Sequence, residues 1–212
     1  MYALITDGSI AKYLSGNRGL TIGDIQYPRD IFSKWTEAQR NAIGIFEVIQ
    51  NNVKKKDEDY YTNTNQTFTY DADAGTVTAT YGDATARAHA DTTWTQADSD
   101  NGLLPSNKSV GDVKVEGLKT TLIRTLKSQA AGELKSTDWY IVRKADAGTA
   151  VPSAITNHRA AVRTKCAEME TAITNASNTP AIETLYTYVN TADEGDPVVM
   201  ERPLGEFPVL GS

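Results

Sequence analysis

Apolar positions along the chain change period midway. Near the N-terminus, "YALI" and "IAKYL" are two short β-leaning runs flanking Thr6-Asp7-Gly8-Ser9, and an Asp-Gly pair between such runs predicts a tight β-hairpin. A glycine-rich loop follows (Gly16, Gly19, Gly23), and Tyr27 before Pro28 is steered away from helix. In "TEAQRNAIGIFEVI", Thr36 and Gln39 have capping-box spacing and Gly44 is a stop signal, so a helix of about two turns is expected there. Residues 45–49, "IFEVI", read as a buried strand. The polar "NNVKKKDEDYY" reads as a solvated loop. Residues 66–81 alternate with period two, Phe68 and Tyr70 on one face and Val77, Ala79 and Tyr81 on another, with "DADAG" as the turn.

Residues 82–112 lose all periodicity and read as a connector with one strand near Trp94. Beyond them the period becomes helical. Val115, Leu118, Leu122, Leu126, Ala130 and Leu134 recur every three or four residues. The window 137–145 continues or restarts that helix, and Gly148 and Pro152 break it. A second long helix follows, placed with Ser153 as its cap. Ile155, Val162 and Met169 lie seven apart on it, and Cys166 and Ile173 fall four after the last two. A third helix begins at Thr179-Pro180, where the missing N–H of proline costs nothing. Its apolar face is Ile182, Leu185, Tyr186 and Val189. Pro197, Pro203 and Pro208 make the tail an extended arm. The expected class is α+β: a β-hairpin-rich module over 1–90, a connector over 91–112, a helical hairpin with a short third helix over 113–192, and an extended C-terminal arm over 193–212.

Composition narrows the functions. The net charge of −6 argues against a general nucleic-acid binder, which needs cations to displace phosphate counterions. No apolar run is long enough to span a bilayer, and no secretory leader is visible at the N-terminus, so a chain made in a cytoplasm without membrane insertion is expected. The single cysteine, Cys166, excludes an internal disulfide and lies on an apolar helical stripe, where it reads as packing.

Candidate chemistry is sparse. His89 and His158 are far from Cys166, and neither a zinc pattern nor a nucleotide-binding glycine fingerprint occurs. "DADAG" (Asp71, Asp73, Gly75) and "DSDNG" (Asp98, Asp100, Gly102) imitate the start of a calcium loop. The bidentate glutamate such loops need is replaced by Gly82 and Ser109, so both read as turns. No catalytic, cofactor or metal site is expected, and the chain reads as a non-enzyme. The densest chemistry is "TDWYIVRKADAGTAVP", residues 137–152. There Trp139 reads as a wedge where two helices meet, with Tyr140, Arg143 and Lys144 as an exposed partner contact or anion pocket. Trp139, Tyr140, Arg143 and Lys144, with Phe207 and Leu210 of the arm, are the candidate contact residues.

Two segments carry a family resemblance. "TDWYIVRKADAGTAVPSAITNHRAAVR" resembles a helical segment near the C-terminus of bacteriophage tail and tail-fibre-associated proteins. "MYALITDGSIAKY", with "YPRD" and "GIFEVI" in order after it, resembles the N-terminal module of such proteins. The two cover roughly residues 1–50 and 115–190; the Thr-rich middle hairpin and the Pro-rich tail depart from the pattern. The resemblance implies a structural component of a tailed-phage virion, in the tail, baseplate or fibre-attachment region. Its partners would be other virion proteins and its own copies, in a ring or trimer, with the arm docking on a neighbour. An assembly chaperone absent from the mature particle is the alternative it implies.

Overall fold

The computed structural model describes residues 1–211, which form two compact units, Met1–Thr85 and from Ala86 onward. The α+β class is observed.

The first unit begins with the hairpin of β1 (Tyr2–Thr6) and β2 (Ser9–Leu14), closed at Asp7 and Gly8. Both turn residues have positive φ, 50° and 73°, as a type I′ turn with the twist of its strands requires. The glycine-rich loop folds further than its sequence predicts, into a small ladder of β3 (Leu20–Ile22) and β4 (Ile25–Tyr27) around Gly23, followed by α1 (Ile31–Lys34). Helix α2 (Glu37–Asn41) has the expected capping box, Gln39 N–H donating to the Thr36 hydroxyl and Thr36 N–H to the Gln39 side chain. It leads into β5 (Ile45–Asn51).

After the two-residue β6 (Tyr61–Thr62), the second expected hairpin is present as β7 (Thr67–Asp71) and β8 (Thr76–Thr80). Phe68 lies directly opposite Ala79, and Tyr70 opposite Val77, so the two apolar sets share one face of the sheet instead of occupying two. The "DADAG" turn is closed by Asp71, whose carboxylate accepts N–H bonds from Asp73 and Ala74 at 3.0 Å each.

The five long strands make one sheet in the order β2-β1-β5-β8-β7, antiparallel except for the β5–β8 pair. It curls until its outer strands face each other, with the Tyr13 and Phe68 rings 4.6 Å apart. Ala3, Phe46, Val48, Val77 and Ala79 are buried together on one face. On the other, Leu14, Ile31 and Ile45 are covered by Tyr27, Phe32, Trp35 and neighbours. Ala3 against Tyr2 and Leu4 shows the period-two alternation that sends neighbours to opposite faces.

In the second unit, which begins within β9 (Thr85–Ala86), the connector is ordered. β10 (Thr92–Thr93) pairs with β11 (Val113–Val115), and α3 (Gln96–Asp100) lies between them. Val115, expected as the first apolar residue of the long helix, is an exposed strand residue. Residues 88–91 strap the start of α4 (Leu118–Lys135): the Ala88 and His89 carbonyls accept from Leu118 and Lys119 N–H. The Asp91 carboxylate accepts from Gly117 N–H and the Thr120 hydroxyl. These bonds hold the Asp91 carboxyl below its usual range. Gly117 lies so close to the strap that a Cβ there would stand 2.3 Å from the Ala90 carbonyl carbon.

Helix α5 (Asp138–Ala147) restarts after a two-residue break and ends at Gly148, which is left-handed. The second long helix, α6 (Ser153–Asn175), begins after Pro152, without a side-chain cap from Ser153. Three contacts run antiparallel between α4 and α6: Lys119 to the Thr174 carbonyl, Lys127 to Glu170, and Arg159 to the Leu134 carbonyl. Ile155, Val162, Met169 and Ile173 are buried on α6, as their spacing predicts. Helix α7 (Thr179–Tyr186) has Asn178 as its cap and Pro180 in its first turn.

The tail is not an extended arm. Residues 189–201 form a hairpin of β12 (Val189–Asn190) and β13 (Met200–Glu201). Leu204 is 3% exposed, its N–H donates to the Leu185 carbonyl, and with Phe207 it packs against Leu126, Met169 and Ile173. Prolines forbid a helix in this stretch but not burial of the apolar residues between them. Arg202 fastens the turn, bonding Glu206 and the Gly205 carbonyl and lying over the Tyr186 and Tyr188 rings.

Two glycines bracket the energetic range. Gly44 has φ of +80°, and a Cβ there would stand 2.7 Å from the Ile5 carbonyl oxygen. Gly44→Ala should therefore cost about 1–3 kcal/mol. Gly132, inside α4, faces open space, and Gly132→Ala should add about 1 kcal/mol. Urea denaturation of the two variants should show these opposite signs.

Candidate functional site

The corner between α4, α5 and α6 gathers most of the unspent chemistry. Helix α4 ends at Lys135, leaving carbonyls without intrahelical partners. The Leu134 carbonyl accepts from Thr137 N–H at 3.0 Å, from the Thr137 hydroxyl at 2.8 Å, and from Arg159 Nη1 at 2.9 Å. Arg159 Nη1 also reaches the Thr137 hydroxyl at 2.6 Å and Asp138 Oδ1 at 2.8 Å. A cation at the negative end of α4 is favoured by the helix dipole, and Asp138 balances its charge. Thr137 is 1% exposed and Arg159 7%, so this polar cluster is the inside of the corner. Arg159 Nε is buried without a hydrogen-bond partner.

Trp139 does not wedge the corner: it is half exposed. A helix that starts with Asp138 at the Arg159 guanidinium turns residue 139 outward, and the small Thr137 fills the interior instead. The Trp139 and Tyr140 rings stack at 3.9 Å between centroids, and the Arg143 guanidinium lies 4.6 Å and 5.4 Å from those rings. Such cation–π contacts contribute about 0.5–1 kcal/mol each at exposed sites. Tyr140 and Arg143 are thereby partly covered, whereas Lys144 projects into water. No residue of α5 is buried, and Ile141 and Val142 are exposed beside Trp139. A ten-residue helix with exposed apolar side chains and no buried ones is an unusual outer surface for a lone chain.

Beside this helix lies a groove of about 360 Å³. Lys144, Arg159 and Arg163 supply its charge, Ile141 and Val151 its apolar wall, and no carboxylate lines it. The groove joins the expected contact residue Lys144 to two arginines of α6 that sequence reasoning passed over. Their signal was the spacing "HRAAVR", which puts Arg159 and Arg163 one turn apart on a single face.

Of the two arm residues expected at a contact, Phe207 is part of the unit's own core and Leu210 is 44% exposed. Cys166 packs against the same core, and burial pushes its thiol pKa up, away from nucleophilic thiolate. His158 is buried on α6 and His89 is half-buried. Asp98 is tied up in the capping box of α3, accepting from Thr95 and pairing with Lys114 at 2.6 Å. Among the described residues no group of three or more His, Cys, Asp or Glu side chains could hold a metal ion, and no helix is long and apolar enough to cross a membrane. No protein-family model matches the chain, and no curated protein and no solved structure matches it.

Removing the corner cation should unfasten the helices. Arg159→Met leaves the Leu134 carbonyl and Thr137 hydroxyl short of a buried donor, an expected loss of about 2–4 kcal/mol in urea unfolding. Trp139→Ala, on the exposed side, should cost well under half of that. A titration effect is expected at Asp98. Lys114, and then Thr95, depress its pKa to about 2. Its contribution to stability is therefore complete above the ordinary carboxylate range near 4 and is lost as pH falls toward 2. Hydrogen exchange across residues 94–112 should accelerate over that interval, and the acceleration should be much weaker in Asp98→Asn.

Proposed function

We propose that this chain is a structural component of a tailed-bacteriophage virion, in the tail, baseplate or fibre-attachment region, acting through protein–protein assembly and not through catalysis. The observation that carries the reading is α5. Trp139, Ile141 and Val142 stand exposed on a helix with no buried residue, next to a cationic groove, at the segment whose sequence resembles phage tail proteins. Aromatic and arginine side chains grouped on such a surface are the composition of a protein contact centre. The reactive groups elsewhere are occupied structurally: Cys166 in a core, Asp98 in a helix cap, Asp71 in a turn. Surfaces of this kind act by being repeated, and tails are built on rotational symmetry, so the chain is expected in several copies per particle. The contact surface is α5 and its groove; of the arm, Leu204 and Phe207 close on their own unit and are not free to reach a neighbour.

Mass spectrometry of purified particles of a phage encoding this chain should recover the intact polypeptide at a copy number that is a multiple of the tail symmetry. Recovery from infected-cell lysate alone, with none in particles, would replace the structural role with that of an assembly chaperone.

A further inference from the structure

The geometry points to a head-to-tail contact between copies of this chain, in which the acidic tip of one copy's β12–β13 hairpin seats in the α5–α6 groove of the next. The inference deepens the assembly reading and rests on it. It starts from charges left over inside a single chain. Arg159 is balanced by Asp138, but Lys144 and Arg163, on the same groove, have no carboxylate within 4.0 Å among the described residues. Two uncompensated cations beside a third on one groove, in a chain of net charge −6, are the place where an outside carboxylate would be favoured.

The complementary feature lies elsewhere in the same unit. The hairpin tip holds Asp193, Glu194 and Asp196, all exposed and none within 4.0 Å of a cation among the described residues. Directly after them come Val198, Val199 and Met200, exposed by 70%, 46% and 52%. Carboxylates followed by exposed aliphatic side chains are the mirror of a groove whose cations stand beside Ile141 and Val151, on a helix that also exposes Trp139 and Val142. The acidic tip therefore supplies the groove with the chemistry it lacks, and the aliphatic run meets the uncovered side of α5.

The chain does not satisfy itself. The groove sits at the first turns of α6, whereas the segment after the hairpin is fixed along the second half of that helix, where Leu204 bonds Leu185 and packs on Met169 and Ile173. From Arg159 to Met169 is roughly 15 Å along the helix at 1.5 Å per residue. Two different patches of one unit make a heterologous contact, which generates a ring when its rotation closes and a filament when it does not.

Sedimentation velocity of the full chain tests this. At low ionic strength, reversible concentration-dependent association is expected up to hundreds of micromolar, and molar salt should weaken it at least about tenfold by screening. Lys144→Glu with Arg163→Glu should give a monomer, and so should Asp193→Lys with Glu194→Lys and Asp196→Lys. Mixed together, the two variants should associate again, because each supplies the charge the other now lacks. That rescue also shows that both are folded. A monomeric wild type, reversals that leave association unchanged, or a mixture that stays monomeric would each overturn the contact. Recovery of a monomeric chain from virions would overturn this contact while sparing the assembly reading; an associating chain missing from virions would do the reverse.

Discussion

The second unit turns on one buried cation. Arg159 holds the open end of α4, the threonine of the corner and the first residue of α5 with a single nitrogen, and it does so from α6. A neutral side chain of similar size could fill that space but could not bond the Leu134 carbonyl, the Thr137 hydroxyl and the Asp138 carboxylate together. The geometry at the corner follows from it. Because Asp138 is drawn to the guanidinium, Trp139 is turned outward and α5 lies as a surface helix. The same constraint that closes α4 onto α6 therefore leaves apolar side chains in water.

The two units reach stability by different routes. In the first, a curled sheet buries small and large residues in cross-strand partnership, Ala3 against Phe46 and Ala79 against Phe68, and closes its edges by an aromatic contact instead of covering them with helices. In the second, two long helices share a thin apolar seam that could not be sealed by their own residues alone. The tail seals it: Leu204 and Phe207 complete the core around Met169 and Ile173. The last stretch of chain is thus part of the core of the unit and not an appendage to it.

What could be read from the residues was local. The Asp-Gly turn, the Thr36–Gln39 capping box, the period-two alternation around "DADAG" and the seven-residue spacing of Ile155, Val162 and Met169 each depend on neighbours within a turn or a strand. What escaped depends on partners far along the chain. Nothing in "IFEVI" announces that β5 will lie parallel to β8, and nothing in "RPLGEFP" announces a pocket on Met169. The aromatic corner shows both sides. Its position is legible, but a large aromatic at a helix corner reads as interior, and the deciding residue, Arg159, lies twenty positions later. The exposure of Lys144 is legible in the sequence, whereas the arginines that make its neighbourhood a groove come from α6, far along the chain.

The strap across the start of α4 has a topological meaning. Ala90 and Gly117 touch, so the chain leaves the helical unit at one point and returns to the same point after the β10–β11 excursion with its short helix α3. An excursion whose two ends already meet adds no loop-closure burden to the helices beneath it. It has its own cap, its own ladder and its own ion pair. Residues 92–116 are thus built as a unit apart, which meets α4 at that doorway and through the Glu116–Arg124 pair and otherwise holds itself together.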